Sequence, residues 1–169
     1  MKKKIFYGLG AIFLLAQLIR PEKNISDDQT HAISTKYPMP DSVAAIMKVA
    51  CNDCHTNKTR YPWYAEVQPV AWLLSDHVID GKRHFNMSNF TSMKVAFQNH
   101  KLEEMAEEIE KGDMPLPSYT CMGLHAGAKL TEPQKQMLIT WAKTQMDSLK
   151  AHYPADSLVM PKRPQGPPK

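Results

Sequence analysis

Residues 51–55 read Cys51-Asn52-Asp53-Cys54-His55. Two thiols separated by two residues, with a histidine directly after the second, form the C-x-x-C-H pattern of haem attachment. The spacing has a chemical reason. One turn of chain sets both cysteines where they can add across the two haem vinyl groups as thioethers, and the adjacent imidazole is carried under the iron as proximal ligand. The remaining segments then have three tasks: to deliver the chain, to close the pocket and to offer a sixth ligand.

Rival chemistries exist for the same residues. Cys121 and His125 form a second metal-like pair, so Cys51, Cys54, Cys121 and His125 are the donor set of a Cys₃His zinc site. A redox dithiol is the third reading, but no βαβ pattern surrounds the motif. The compartment separates them. Lys2, Lys3 and Lys4 precede a continuous apolar run from Ile5 to Ile19 that ends at Arg20-Pro21. That is the charged and apolar order of an export signal. With no A-x-A-like cleavage site after it, the run reads as an uncleaved membrane anchor, about as long as the shorter spanning helices. Lysines before it place the N-terminus inside and the rest outside. Covalent haem attachment takes place outside the cytoplasmic membrane, whereas thiolate zinc sites belong mainly to reducing interiors. The expected location is therefore the cytoplasmic membrane, with the domain facing the periplasm. Cys121 is left without a partner and is expected to be a buried, small apolar residue.

The 169 residues carry 43% hydrophobic and 22% charged side chains and a formal charge of +4, with lysines scattered or terminal. Nothing in that distribution marks a nucleic-acid surface. The organisation expected is an anchor over 1–20, a polar linker over 21–37, a haem-binding domain over 38–152 and a Pro- and Lys-rich disordered tail over 153–169. Within the domain, Asp41 is expected to N-cap a first helix whose Val43, Ile46, Met47 and Ala50 recur at helical spacing. Tyr61-Pro62-Trp63-Tyr64 is expected to wall the haem. A helix follows from Pro69 to about Asp80, stopped by Gly81. Lys82, Arg83 and His84 after it are candidates for haem propionates but read first as a solvated turn. Phe90–His100 predicts a helix or helical turn, and Lys101–Lys111 a clearer helix ended by Gly112. Thr131 caps the last helix, which runs to about residue 150 and is expected to cross the first beside the haem.

The sixth ligand is read from Gly112-Asp113-Met114-Pro115-Leu116-Pro117-Ser118-Tyr119. Two prolines remove amide donors and fix φ, so this stretch is expected to be non-helical and stiff. A methionine held there is well placed to present its thioether to iron, and such a ligand raises the reduction potential over that of a second imidazole. Met114 is therefore the candidate distal ligand. His77, His84, His100 and His125 are the histidines that would make a bis-histidine site instead. Most of the eleven methionines read as core filler.

These residues together resemble the haem-binding-domain proteins of the c-type cytochrome class, small membrane-anchored bacterial proteins. The resemblance covers Pro38 to Lys150 and the N-terminal anchor. It rests on the C-x-x-C-H motif, Tyr61-Pro62-Trp63-Tyr64, Met114-Pro115-Leu116-Pro117-Ser118-Tyr119, His125 and the helix from Leu130 to Trp141. It implies thioethers at Cys51 and Cys54, proximal ligation by His55 and distal ligation by Met114. Cys121 and Met122-Gly123 depart from its pattern, where a more apolar segment is expected. The expectation is an all-α, cytochrome c-like domain around one covalent haem c, which exchanges single electrons with a redox partner protein. A haem sensor or peroxidase-like enzyme with a displaceable distal ligand is the alternative, and a zinc-stabilised interaction module a further one.

Overall fold

A computed structural model describes residues 2–121 and 125–161. Among them every regular element is a helix, with a lone antiparallel bridge between Ile25 and Lys58. It divides into two compact units, residues 1–29 with 52–88, and residues 30–51 with 89–169.

The first unit contains α1 (Lys2–Ala16), the single turn α3 (Asn52–His55), a 3-10 turn at Trp63–Glu66 and α4 (Val70–His84). No residue of α1 is buried, and its apolar side chains point out on every face. The helix is shorter than the apolar run. It stops at Ala16 because the next residues are diverted: Gln68 N–H donates to Gln17 Oε1 (2.9 Å), and Gln68 Nε2 and Trp72 Nε1 both donate to the Ile19 carbonyl (2.7 and 3.2 Å). Fifteen residues rise about 22 Å, against roughly 30 Å of bilayer hydrocarbon. The expected spanning helix is thus not formed, and no helix among the described residues is long and apolar enough to cross a membrane.

The second unit is built on α5 (Val95–Lys111) and α7 (Glu132–His152), which pack along each other, with α2 (Asp41–Ala50) against α7. Leu102, Ala106 and Ile109 of α5 are buried with Leu138, Ile139, Ala142 and Leu149 of α7, and α2 adds Val43, Met47 and Ala50. These are the apolar stripes read from the periodicity. The two pieces expected over 90–111 are one helix only from Val95 onward, because Phe90 belongs to a separate 3-10 turn (Met87–Ser92), and that helix is ended as expected by Gly112 in the left-handed region (φ 81°). Asp41 is the first helical residue rather than the cap, which is Pro40. Asp41 still sits where a negative charge favours the helix N-terminus.

Thr131 caps α7 in a full capping box: its hydroxyl accepts from Gln134 N–H while the Gln134 side chain accepts from Thr131 N–H. Thr131→Ala should cost about 1 kcal/mol of stability. A denaturant midpoint unchanged with unchanged slope would show that the cap contributes nothing.

The stretch read as a linker carries structure of its own. Ala32, Ile33 and Tyr37 are buried, and the Tyr37 hydroxyl donates to Gln98 Oε1 at 2.5 Å. Burial pushes the Tyr37 pKa up to about 12. At the other end, Ala155–Leu158 forms a 3-10 turn whose Leu158 is buried against α5 and α7. Residues 162–169 of the expected tail, and Met122-Gly123, lie outside the described residues.

Candidate functional site

The C-x-x-C-H stretch bridges two helices. Cys51 is the C-cap of α2, its N–H donating to the Met47 carbonyl at 2.9 Å, and Asn52 to His55 form α3. In the first unit, α3 lies against α4. Gly81 explains how closely. A Cβ built there would meet the Cys54 carbonyl oxygen at 2.6 Å and Cys54 Cβ at 3.0 Å. The glycine therefore does not stop α4, as the sequence suggested. It lets the C-x-x-C-H turn lie close on a helix that runs on to His84. Alanine normally favours a helix interior over glycine by about 1 kcal/mol. At position 81 the sign should reverse, with a loss of roughly 1–3 kcal/mol from overpacking. Gly127, whose added Cβ would meet only Val49 Cγ1 at 3.6 Å, is the control and should tolerate alanine. Equal denaturant midpoints for Gly81→Ala and the parent would contradict this packing.

Where α4 ends, the Phe85 carbonyl turns to the His55 ring, with Nδ1 to oxygen 2.8 Å and the rings 5.7 Å apart. A carbonyl only accepts, so Nδ1 must donate. That leaves Nε2 with its lone pair free in the neutral ring, the form that binds metals. Burial holds the His55 pKa below 6.5, with His84 acting in the same direction and the carbonyls of Phe85 and Gly81 opposing. Burial, reinforced by Asp53, pushes the Cys54 thiol up to about 11. A reactive dithiol needs a depressed thiol pKa, so the redox-dithiol reading finds no support at Cys54.

Asp53, buried inside the motif, is held by Arg60. Its Oδ1 accepts from Arg60 N and Nε (3.2 and 3.0 Å), and its Oδ2 from Nη2 (3.2 Å). Thr59 Oγ1 donates to the Asp53 carbonyl (2.6 Å), and Thr56 Oγ1 to the Asn52 carbonyl (2.7 Å). Asn24 fastens the same loop from the other side. Its Nδ2 donates to the Thr56 carbonyl and Thr59 Oγ1, and its Oδ1 accepts from Lys82 Nζ at 2.6 Å. The turn behind the motif is thus fixed by backbone and side-chain bonds on both flanks. Lys82 is committed to Asn24, and Arg83 pairs with Asp80 at 2.8 Å on the surface. Of the aromatic cluster, Tyr61 receives the Asn24 N–H on its hydroxyl, while Trp63 stands 80% exposed with an edge on Tyr64.

In the second unit, Met114 follows the Gly112 cap in a loop closed on α5. The N–H groups of Asp113 and Met114 both donate to the Glu108 carbonyl, at 3.0 and 3.2 Å. Met114 is half-buried. The stretch after it is not free of helix as expected. Pro117 opens the short turn α6 (Pro117–Thr120) at a position where its missing N–H has no partner to lose. Cys121 is exposed rather than buried, its Sγ 3.3 Å from the Ser118 carbonyl. The reason lies in the local backbone, since α6 ends there and Cys121 leaves it extended. His125 stacks on Tyr119, with rings 4.0 Å apart and nearly parallel. His100 lies on α5 beside Glu103 and Glu104, and His84 is exposed at the end of α4. Among the described residues, no three His, Cys, Asp or Glu side chains come together to hold a metal ion.

The donor set fits haem. His55 offers an oriented Nε2 on a turn pressed against Gly81, with the two cysteines of the C-x-x-C-H sequence preceding it in the chain. The sequence pointed to those three residues but not to their supports. Asp53 and Gly81 were visible as letters without a partner, and the Phe85 carbonyl is backbone, which no side-chain pattern marks.

No curated protein and no solved structure matches the chain. A family described as the haem-binding domain matches residues 11–144. That span takes in the C-x-x-C-H turn, the helix that supports it and the Met114 loop, and the chain belongs to the haem-binding-domain family.

Proposed function

We propose that the protein is a mono-haem c-type cytochrome that carries single electrons and does not catalyse a reaction on a substrate. The haem is held by thioethers from Cys51 and Cys54, with His55 as proximal and Met114 as distal iron ligand. When bound, the haem supplies a one-electron iron couple whose potential depends on its axial ligands. The observation that carries this reading is the His55 Nδ1–Phe85 carbonyl hydrogen bond, which fixes the ring's tautomer and leaves Nε2 as the nitrogen able to bind a metal. The stiff loop around Met114 supports the sixth ligand, because a weak thioether bond gains most from a donor already held in place. The lysine-led, outwardly apolar α1 supports export and association with the outer face of the cytoplasmic membrane, where a redox partner protein would be met.

The half-exposure of Met114 favours one second reading, a haem sensor or peroxidase-like protein in which this ligand yields to an incoming one. Visible and electron paramagnetic resonance spectra of the full chain with and without cyanide and carbon monoxide decide between them. The electron-carrier reading expects a low-spin iron that ignores both. A high-spin iron, or one that binds either ligand readily, would replace it with the second reading.

A further inference from the structure

The second unit contains a cavity of about 430 Å³, within the roughly 300–1,000 Å³ range of small-molecule sites. None of its lining residues belongs to the C-x-x-C-H turn or the Met114 loop. We infer that it is a binding site for a small organic carboxylate with a planar apolar body.

Three features of the lining lead there. First, Gln145 of α7 is only 8% exposed and lines the cavity, and no hydrogen bond among the described residues ends on its side-chain amide. Its NH₂ is therefore available to donate to a carboxylate oxygen. Second, Lys36 stands at the rim with its Nζ over the rings of Tyr37 (5.4 Å) and Tyr153 (5.1 Å). Its bonds go to neutral acceptors, Gln98 Oε1 at 3.3 Å and Tyr153 Oη at 3.4 Å. No carboxylate of the described residues pairs with it, and none lines the cavity. Third, beside the polar Ser148 and His152, the remaining lining includes apolar surface that is held in place. Leu149 is buried, Pro38 is held by Trp141 Nε1 on its carbonyl (2.9 Å), and Tyr37 is braced by Gln98 and the edge of Phe90.

The position near the C-terminus of α7 calls for one check, since helix carbonyls there repel an anion. Two of them are already satisfied. The Ser148 carbonyl receives His152 Nδ1 (2.7 Å), and the Leu149 carbonyl receives Tyr153 N–H (3.0 Å). Lys36 is the charged group on this lining, and its charge is open to an anion.

The test is calorimetric titration of the full, haem-loaded chain with benzoate and with benzyl alcohol, its neutral analogue of similar size. Benzoate should bind saturably without altering the haem spectrum, and benzyl alcohol about tenfold more weakly or worse. Lys36→Gln and Gln145→Leu, each checked for an unchanged melting temperature, should each weaken benzoate, the first by about tenfold, as expected for a lost charged hydrogen bond. Four results would overturn the site: no benzoate binding, equal binding of the alcohol, a change in the haem spectrum on binding, or parental affinity in either variant. The alcohol comparison needs no variant and stands whether or not the substitutions fold.

Discussion

His55→Ala should abolish stable haem ligation and leave less than about a tenth of the parental low-spin signal per chain. Two losses coincide. The iron loses its proximal nitrogen, and the Phe85 carbonyl loses the His55 ring as donor, a hydrogen bond worth about 1 kcal/mol. Added imidazole separates them: it should enter the space left by the side chain and restore a low-spin spectrum without restoring parental stability. A normal spectrum in His55→Ala without imidazole would remove His55 from the iron.

Met114→Ala should lower the reduction potential and open the iron to cyanide and carbon monoxide. Thioether sulfur favours ferrous over ferric iron. Loss of a ferrous preference of about fiftyfold corresponds to about 100 mV at ~59 mV per tenfold for one electron. The fold should survive, because Gly112 and the Glu108 carbonyl hold the loop through backbone groups that the substitution leaves in place. An unchanged potential would transfer the distal role to a histidine, and His125 stacked on Tyr119 would then be the first to test.

The C-x-x-C-H motif stands out in the sequence because the chemistry it suggests fixes residue types at fixed spacing. The faces of α2, α5 and α7 were legible because burial repeats with the helix. What escaped depends on partners distant in sequence. Gly81 reads locally as a helix stop, and only the Cys54 carbonyl at 2.6 Å from its would-be Cβ turns it into a packing requirement. Asn24 sits in a polar stretch that looks like a tether, yet its side chain ties Thr56, Thr59 and Lys82 together. The apolar run of α1 overstated its helix, because nothing local shows that Gln17 and Ile19 are claimed by Gln68 and Trp72. Cys121 was expected to be buried on general preference, but the end of α6 turns it outward.

The central claim is covalent haem on Cys51 and Cys54. Its most direct test is a reduced-minus-oxidised visible spectrum of the protein, exported in a host with haem-attachment machinery and then fully denatured and desalted. A c-type band that stays with the polypeptide is the predicted result. A colourless polypeptide, with the haem left in the small-molecule fraction, would contradict thioether attachment and leave a protein that binds haem without a covalent bond.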